Sequence, residues 1–142
     1  RLVSSKLTDY TLGLYASRGY VQRFGAPGDA EALKSHRRIG YVEDLIFSQS
    51  LAFTGEVMRN WNAGFEISSA TGQTEAVRSG AGIGILHNYI ARHDPELMRV
   101  MPDTVIERSY WTIFHESARD LARIRVVADF LQEMVREARG IW

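Results

Sequence analysis

The stretch Phe65-Glu66-Ile67-Ser68-Ser69-Ala70-Thr71-Gly72-Gln73-Thr74-Glu75-Ala76-Val77-Arg78-Ser79-Gly80-Ala81-Gly82-Ile83-Gly84-Ile85-Leu86 decides the fold. Its first residues, Phe65–Ser69, alternate between apolar and polar, the period of a half-buried strand. Thr71 can then cap a helix over Gln73–Ser79 that buries Ala76 and Val77, because a hydroxyl there accepts from the backbone N–H groups of the first turn. Gly80 ends that helix, and Gly82–Leu86 reads as a short apolar strand. Strand, helix and strand in close succession form the unit of an α/β sheet.

Toward the N-terminus, Leu7–Tyr15 has the β-branched and aromatic content of a strand. Ser17 is an N-cap for a short helix over Gly19–Phe24 that Gly25 stops. Asp29–Lys34 carries acidic residues in its first turn, as a helix start prefers, and Arg38–Val42 is the next strand. Between 44 and 64 the apolar spacing fits neither template. That region reads as strand or loop with one helical turn near Gly55–Trp61.

Toward the C-terminus, Tyr89–Arg92 forms a helical turn, Leu97–Met101 is extended, and Ile106–Phe114 is a long strand. Ser117 with Asp120 resembles a capping box for a final helix. Leu121, Ile124, Val127, Leu131, Met134 and Ala138 supply its apolar stripe, and Gly140 its stop.

A chain of 142 residues and 16.1 kDa makes one domain, or one domain with a small extension. Hydrophobic residues at 45% and charged residues at 24% mark it as globular and not disordered. Lys+Arg and Asp+Glu cancel at 17 each, so no net field draws the chain to nucleic acid or an anionic membrane. The absence of cysteine excludes disulfides, thiol nucleophiles, thiolate zinc sites and iron–sulfur clusters. No apolar run approaches the roughly 18 residues of a membrane span, and Arg1–Lys6 has no signal-peptide core. Because structured sequence begins almost at once, the chain is expected to start inside a larger protein.

Metal and covalent chemistry find no support. His36, His87, His93 and His115 include no pair at i, i+4, and Arg119 stands where a zincin helix opened by His115-Glu116 needs its second ligand. No G-x-S-x-G elbow or S-x-x-K pair gives a serine an activating base. No catalytic residue, metal ligand or cofactor is therefore expected. The glycines of Gly80–Gly84 follow a helix and lead into a strand, the reverse of a dinucleotide fingerprint. They read as a helix C-cap followed by close helix–strand packing. The mixed charges of the last helix, such as Arg119, Arg123, Asp129 and Glu133, describe a solvated face.

Ser68–Thr74 places hydroxyls and an amide between a strand end and a helix start. Ligands bind there in α/β sheets because free N–H groups and the helix dipole favour an anion. Ordinary capping explains the same residues equally well.

The order of several short motifs resembles the effector-binding domain of LysR-type transcriptional regulators. It begins with Tyr15-Ala16-Ser17-x-x-Tyr20-Val21, Gly25-x-Pro27 and Leu33-x-x-His36. Gly80-x-Gly82-Ile83-Gly84-Ile85-Leu86 and Leu97-x-Arg99-Val100-Met101-Pro102 follow. The last pieces are Trp111-Thr112-Ile113-Phe114-His115 and Arg123-Ile124-Arg125-x-Val127-x-Asp129-Phe130-Leu131. The resemblance covers nearly the whole chain.

It implies an α/β, type II periplasmic-binding-protein-like fold: a Rossmann-like lobe, plus a C-terminal strand and helix returning to a partly missing first lobe. On that template residues 1–8 cross the hinge, 9–103 form the second lobe, and 104–142 return to the first. A small-molecule effector, expected to be a carboxylate-bearing metabolite, lies between the lobes and controls DNA binding by the full-length protein. The resemblance favours ligand contact by Ser69, Thr71, Gln73 and Thr74, with Tyr41 and Phe47 (and Asp44) as further candidates. His87 departs from the proline of many members and takes no role. The helix after Ser17 resembles one used for subunit pairing, so a homodimer or homotetramer is expected. DNA would be reached only through an N-terminal helix-turn-helix absent from this chain. The expected compartment is the cytoplasm, with no membrane contact. A transport solute-binding protein of the same fold is the alternative, and an α/β enzyme comes third.

Overall fold

The computed structural model describes residues 1–142. The chain divides into two compact units, Thr11–Ile106 and a second made of Arg1–Tyr10 with Glu107–Trp142. A long first strand, β1 (Leu2–Ser17), contributes to both.

In the unit Thr11–Ile106, the second half of β1 is buried without alternation, as a strand covered on both faces should be. Ser17 accepts from Tyr20 N and caps α1 (Arg18–Phe24), which closes at Gly25 with φ 78°. Asp29 caps the single turn of α2 (Ala30–Leu33). Strand β2 (Ile39–Gly40) runs parallel to β3 (Phe65–Glu66), with Ile39 opposite Phe65 and Gly40 opposite Glu66. Residues 41–64 join them through three 3-10 turns, Glu43–Leu45, Gln49–Leu51 and Thr54–Glu56. The expected helical turn near 55 is the last of these. The expected half-buried strand from Phe65 is only two residues long, and both are exposed.

Helix α3 (Ala70–Arg78) follows, then β4 (Gly84–His87), α4 (Asn88–Ala91) and β5 (Leu97–Val100). Both β4 and β5 pair antiparallel with β1, Leu14 lying opposite Ile85 on one side and Val100 on the other. A parallel bridge between Arg38 and Ile83 brings β2 alongside the chain entering β4. The core gathers Tyr15, Ile39, Ala76, Val77, Leu86 and Leu97. The glycine run serves packing, as its order suggests. Gly80 holds φ +85° beyond the helix, and a Cβ on Gly84 would stand 2.6 Å from Val77 Cγ2.

In the other unit, the first half of β1 pairs with β6 (Ile106–His115). Glu116 N donates to Arg1 O at 2.8 Å, Thr112 Oγ1 to Ser5 O at 3.2 Å, and Ser109 to Asp9 at 2.5 Å, a sequence of partners that runs antiparallel. Tyr10 stacks on Tyr110 at 4.1 Å. Helix α5 (Ala122–Glu137) begins later than the capping-box reading places it. Residues Glu116–Ala118 form a separate 3-10 turn, and Leu121 is the N-cap, with no side-chain bond. The helix turns Ile124, Ala128, Leu131 and Val135 inward, while Val127 and Met134 of the expected stripe are exposed. Trp111 and Ile113 of β6, and Val126 and Phe130 of α5, are exposed as well.

Candidate functional site

Parallel strands bring their carboxyl ends to one edge. Ile67 N donates to Gly40 O at 2.9 Å, so the chain leaving β2 at Tyr41 and the chain leaving β3 at Ile67 emerge side by side. From Ile67 the chain turns directly into α3. Ser69 is the N-cap, with φ −127° and ψ 128°, and its hydroxyl accepts from Gly72 N at 3.3 Å. The first amides of a helix have no intrahelical acceptor and carry the positive end of its dipole. Ligands of open α/β sheets bind beyond such strand ends.

The same edge holds a cavity of about 500 Å³ walled by the 41–64 connection and β3, within the roughly 300–1,000 Å³ of small-molecule sites. Tyr41, Glu43, Ile46, Thr54, Met58, Trp61, Asn62 and Glu66 are among its lining residues. Tyr41 meets the edge of Phe53 at 6.1 Å, and burial raises its hydroxyl pKa.

Two side chains hold the far wall. Trp61 Nε1 donates to Ile39 O at 3.0 Å, and the indole covers Gly40, where a Cβ would sit 3.1 Å from Nε1. Arg38 donates to the carbonyls of Leu33, Lys34 and His36 at 2.9, 2.9 and 2.8 Å. From the same guanidinium, bonds run to the carbonyls of Trp61 and Asn62. Asn60 and Asn62 take positive φ values of 59° and 41°, a conformation asparagine tolerates better than most residues.

The residues expected from sequence are distributed unevenly. Tyr41, Ser69 and Thr71 stand at this edge, Thr71 exposed in the first turn of α3 and not as its cap. Gln73 is only 2% exposed, and its amide donates to Ile67 O at 2.9 Å, tying α3 to the end of β3. Thr74 Oγ1 donates back to Ala70 O at 3.0 Å. Phe47 is 91% exposed and lies outside the cavity lining; Asp44 is exposed too and also lies outside it.

Glu43, Trp61 and Glu66 carry no motif that singles them out. The length of the connection was the available signal, since irregular segments beyond about 12–15 residues are uncommon inside a domain and are usually either functional or linkers. A second group absent from the sequence reading lies at the end of β4. Asn88 Oδ1 accepts from Tyr15 Oη at 2.7 Å and Arg99 Nη1 at 2.9 Å, and Asn88 Nδ2 donates to Thr11 Oγ1 at 2.8 Å. Arg99 lies over both Tyr15, 5.5 Å from its ring centroid, and the bare Cα of Gly13.

His87, the last residue of β4, has its pKa lowered by burial. His36 is lowered by burial and then by Arg38, and its Nδ1 lies 2.9 Å from Tyr20 Oη. No cluster of three or more His, Cys, Asp or Glu side chains is arranged to hold a metal ion, and no helix is long and apolar enough to cross a membrane.

Residues 1–136 match the family described as the LysR substrate binding domain. Among solved structures, the regulatory domain of CrgA from Neisseria meningitidis is similar at 22% identity and a TM-score of 0.81, covering 94% of this chain and 69% of that one. Full-length AphB from Vibrio cholerae aligns at 19% identity and a TM-score of 0.72, over 94% of this chain and 48% of that one. The effector domain of AmpR from Pseudomonas aeruginosa aligns at 18% identity and a TM-score of 0.68, over 98% and 68%. The chain thus spans about half the length of the full-length regulators CrgA and AphB. No curated protein shows significant sequence similarity to it.

Proposed function

The chain belongs to the LysR substrate-binding domain family, and we propose that its binding edge is the one formed by Tyr41, Ser69 and the first turn of α3. The fold is the α/β, type II periplasmic-binding-protein-like architecture of LysR regulatory domains. Membership in this family favours a sensor over a transport receptor built on the same fold. The observation that carries the site is the parallel exit of β2 and β3 beside the capped start of α3.

On this reading an effector carboxylate meets the amides of Ala70 and Thr71, with Ser69 and Thr71 hydroxyls beside it. Gln73 acts from below by fixing the strand end, and Thr74 steadies the first turn. Phe47, standing in solvent, reaches a ligand only by moving. The domain catalyses nothing and needs no cofactor.

Residues 9–103 are the second lobe and 104–142 the return to the first, after the crossing at 1–8. The apolar side chains of Trp111, Ile113 and Phe130 would then pack on the rest of that lobe. This is consistent with the chain spanning 69% of the CrgA regulatory domain. The full protein is a cytoplasmic, self-associating regulator that uses α1 in pairing and a separate helix-turn-helix on DNA. Effector binding shifts its DNA contacts through differential affinity for two states.

The test is a metabolite screen by thermal shift on the intact protein, followed by operator binding with each stabilising compound. A stabilising carboxylate should change operator affinity, and Ser69→Ala should weaken its binding. Stabilising compounds that leave operator affinity untouched would contradict the regulatory reading.

A further inference from the structure

Resting on that reading of the binding edge, we infer that the cavity beside it receives an organic cation, an ammonium or amidinium group carried by the ligand. Glu43 and Glu66 supply two carboxylates to its lining, and no basic side chain lines it. Neither Arg38 nor Arg59 lines it. The bonds of Arg38 all go to backbone carbonyls behind the wall, and Arg59 of the same connection is exposed and outside the lining.

Tyr41 and Trp61 add aromatic surface, whose negative ring faces attract a desolvating cation. Thr54 and Asn62, whose side chains carry acceptor oxygens, are also among its lining residues. An anion would meet repulsion from two carboxylates here. A neutral apolar group would strip water from them without replacing its hydrogen bonds. A cation gains from both the charges and the rings. The wall that creates this environment is fixed by Trp61 on Ile39 O and by Arg38, so the cavity is organised before a ligand arrives.

The experiment uses calorimetric titration of the intact protein at low salt with two probes of matched shape, phenethylammonium chloride and sodium 3-phenylpropionate. Phenethylammonium should bind with an affinity that Glu43→Gln and Glu66→Gln each weaken about threefold, the effect of a charge pair that water partly screens. Glu31→Gln, an exposed carboxylate on α2, should leave that affinity unchanged. Equal weakening by all three variants would reveal general charge attraction and overturn the cavity assignment. Binding of 3-phenylpropionate alone, lost in Ser69→Ala, would overturn the cation inference while leaving the α3 edge as the site. Binding of neither probe would overturn the inference and count against the edge as well.

Discussion

Replacing Arg38 by alanine should loosen the wall of the cavity while leaving the sheet paired. The guanidinium bridges two pieces of chain: the end of α2 through Leu33, Lys34 and His36, and the 60–62 bend through Trp61 and Asn62. Bonds to Lys34 and Asn62 are exposed, so water replaces them at little cost. The part-buried bond to Trp61 is the one whose loss frees the bend. A hydrogen bond from a charged donor contributes about 1.5–3 kcal/mol net. Local opening of residues 54–64 should therefore become roughly ten- to a hundredfold easier. Amide hydrogen exchange of the intact protein reads this directly, as faster exchange in the 54–64 peptides with β1 and β4 unchanged. Arg38→Lys should recover less than half of the protection, because one ammonium cannot reach both pieces in the fork geometry of a guanidinium. Exchange in Arg38→Ala within about twofold of the parent, well below that range, would refute the reasoning and leave the bend held by Trp61 on Ile39 O and by Gly64 N on the carbonyl of residue 38.

Other outcomes follow from the same geometry. Ser69→Ala should cost about 1 kcal/mol in urea unfolding, as loss of an N-cap does. Thr71→Ala, an exposed change inside the helix, should stay within about 0.5 kcal/mol, and the opposite order would restore Thr71 as the cap. Gly82→Ala places a Cβ 2.7 Å from the Arg37 carbonyl oxygen, which already accepts from Ile83 N at 2.8 Å. Displacing that backbone should cost about 1–3 kcal/mol, and an unchanged urea midpoint would contradict the packing. His87 and His36 have pKa values lowered chiefly by burial, so the unfolded chain binds more protons than the folded one below their ordinary value of 6.5. Stability should be fully present above about pH 6.5 and fall as pH drops below it, by at most about 1.4 kcal/mol per pH unit for each proton taken up. His87→Gln should flatten that slope, His36 contributing less because water reaches it; an unaltered slope would show that the acid sensitivity arises elsewhere.

What the sequence disclosed was whatever depends on neighbours in the chain. The Ser17 cap, the Gly25 stop and the Gly80–Gly84 packing are decided within a few residues, and the structure has them as read. The start of α3 was legible only to within two hydroxyls. Ser69 and Thr71 are equivalent caps locally, and the bond between Ile67 N and Gly40 O fixes which one leaves the strand last. Helix α5 misled in another way. Its apolar residues form two stripes, and periodicity cannot say that Ala128 and Val135 face inward while Val127 and Met134 face solvent. The cavity wall was illegible because its order comes from single long-range bonds. Arg38 reaches Trp61 across the whole connection, and no periodicity encodes that. Glu43 and Glu66 likewise read as surface acids until the parallel pairing of β2 and β3 puts them on one cavity.

The central claim is that the exits of β2 and β3 and the start of α3 form the effector site. It is tested most directly by hydrogen exchange of the intact protein with and without the metabolite that raises its melting temperature most. The account predicts new protection at residues 41–43 and 67–73. Protection that leaves those two segments unchanged and appears elsewhere would contradict it.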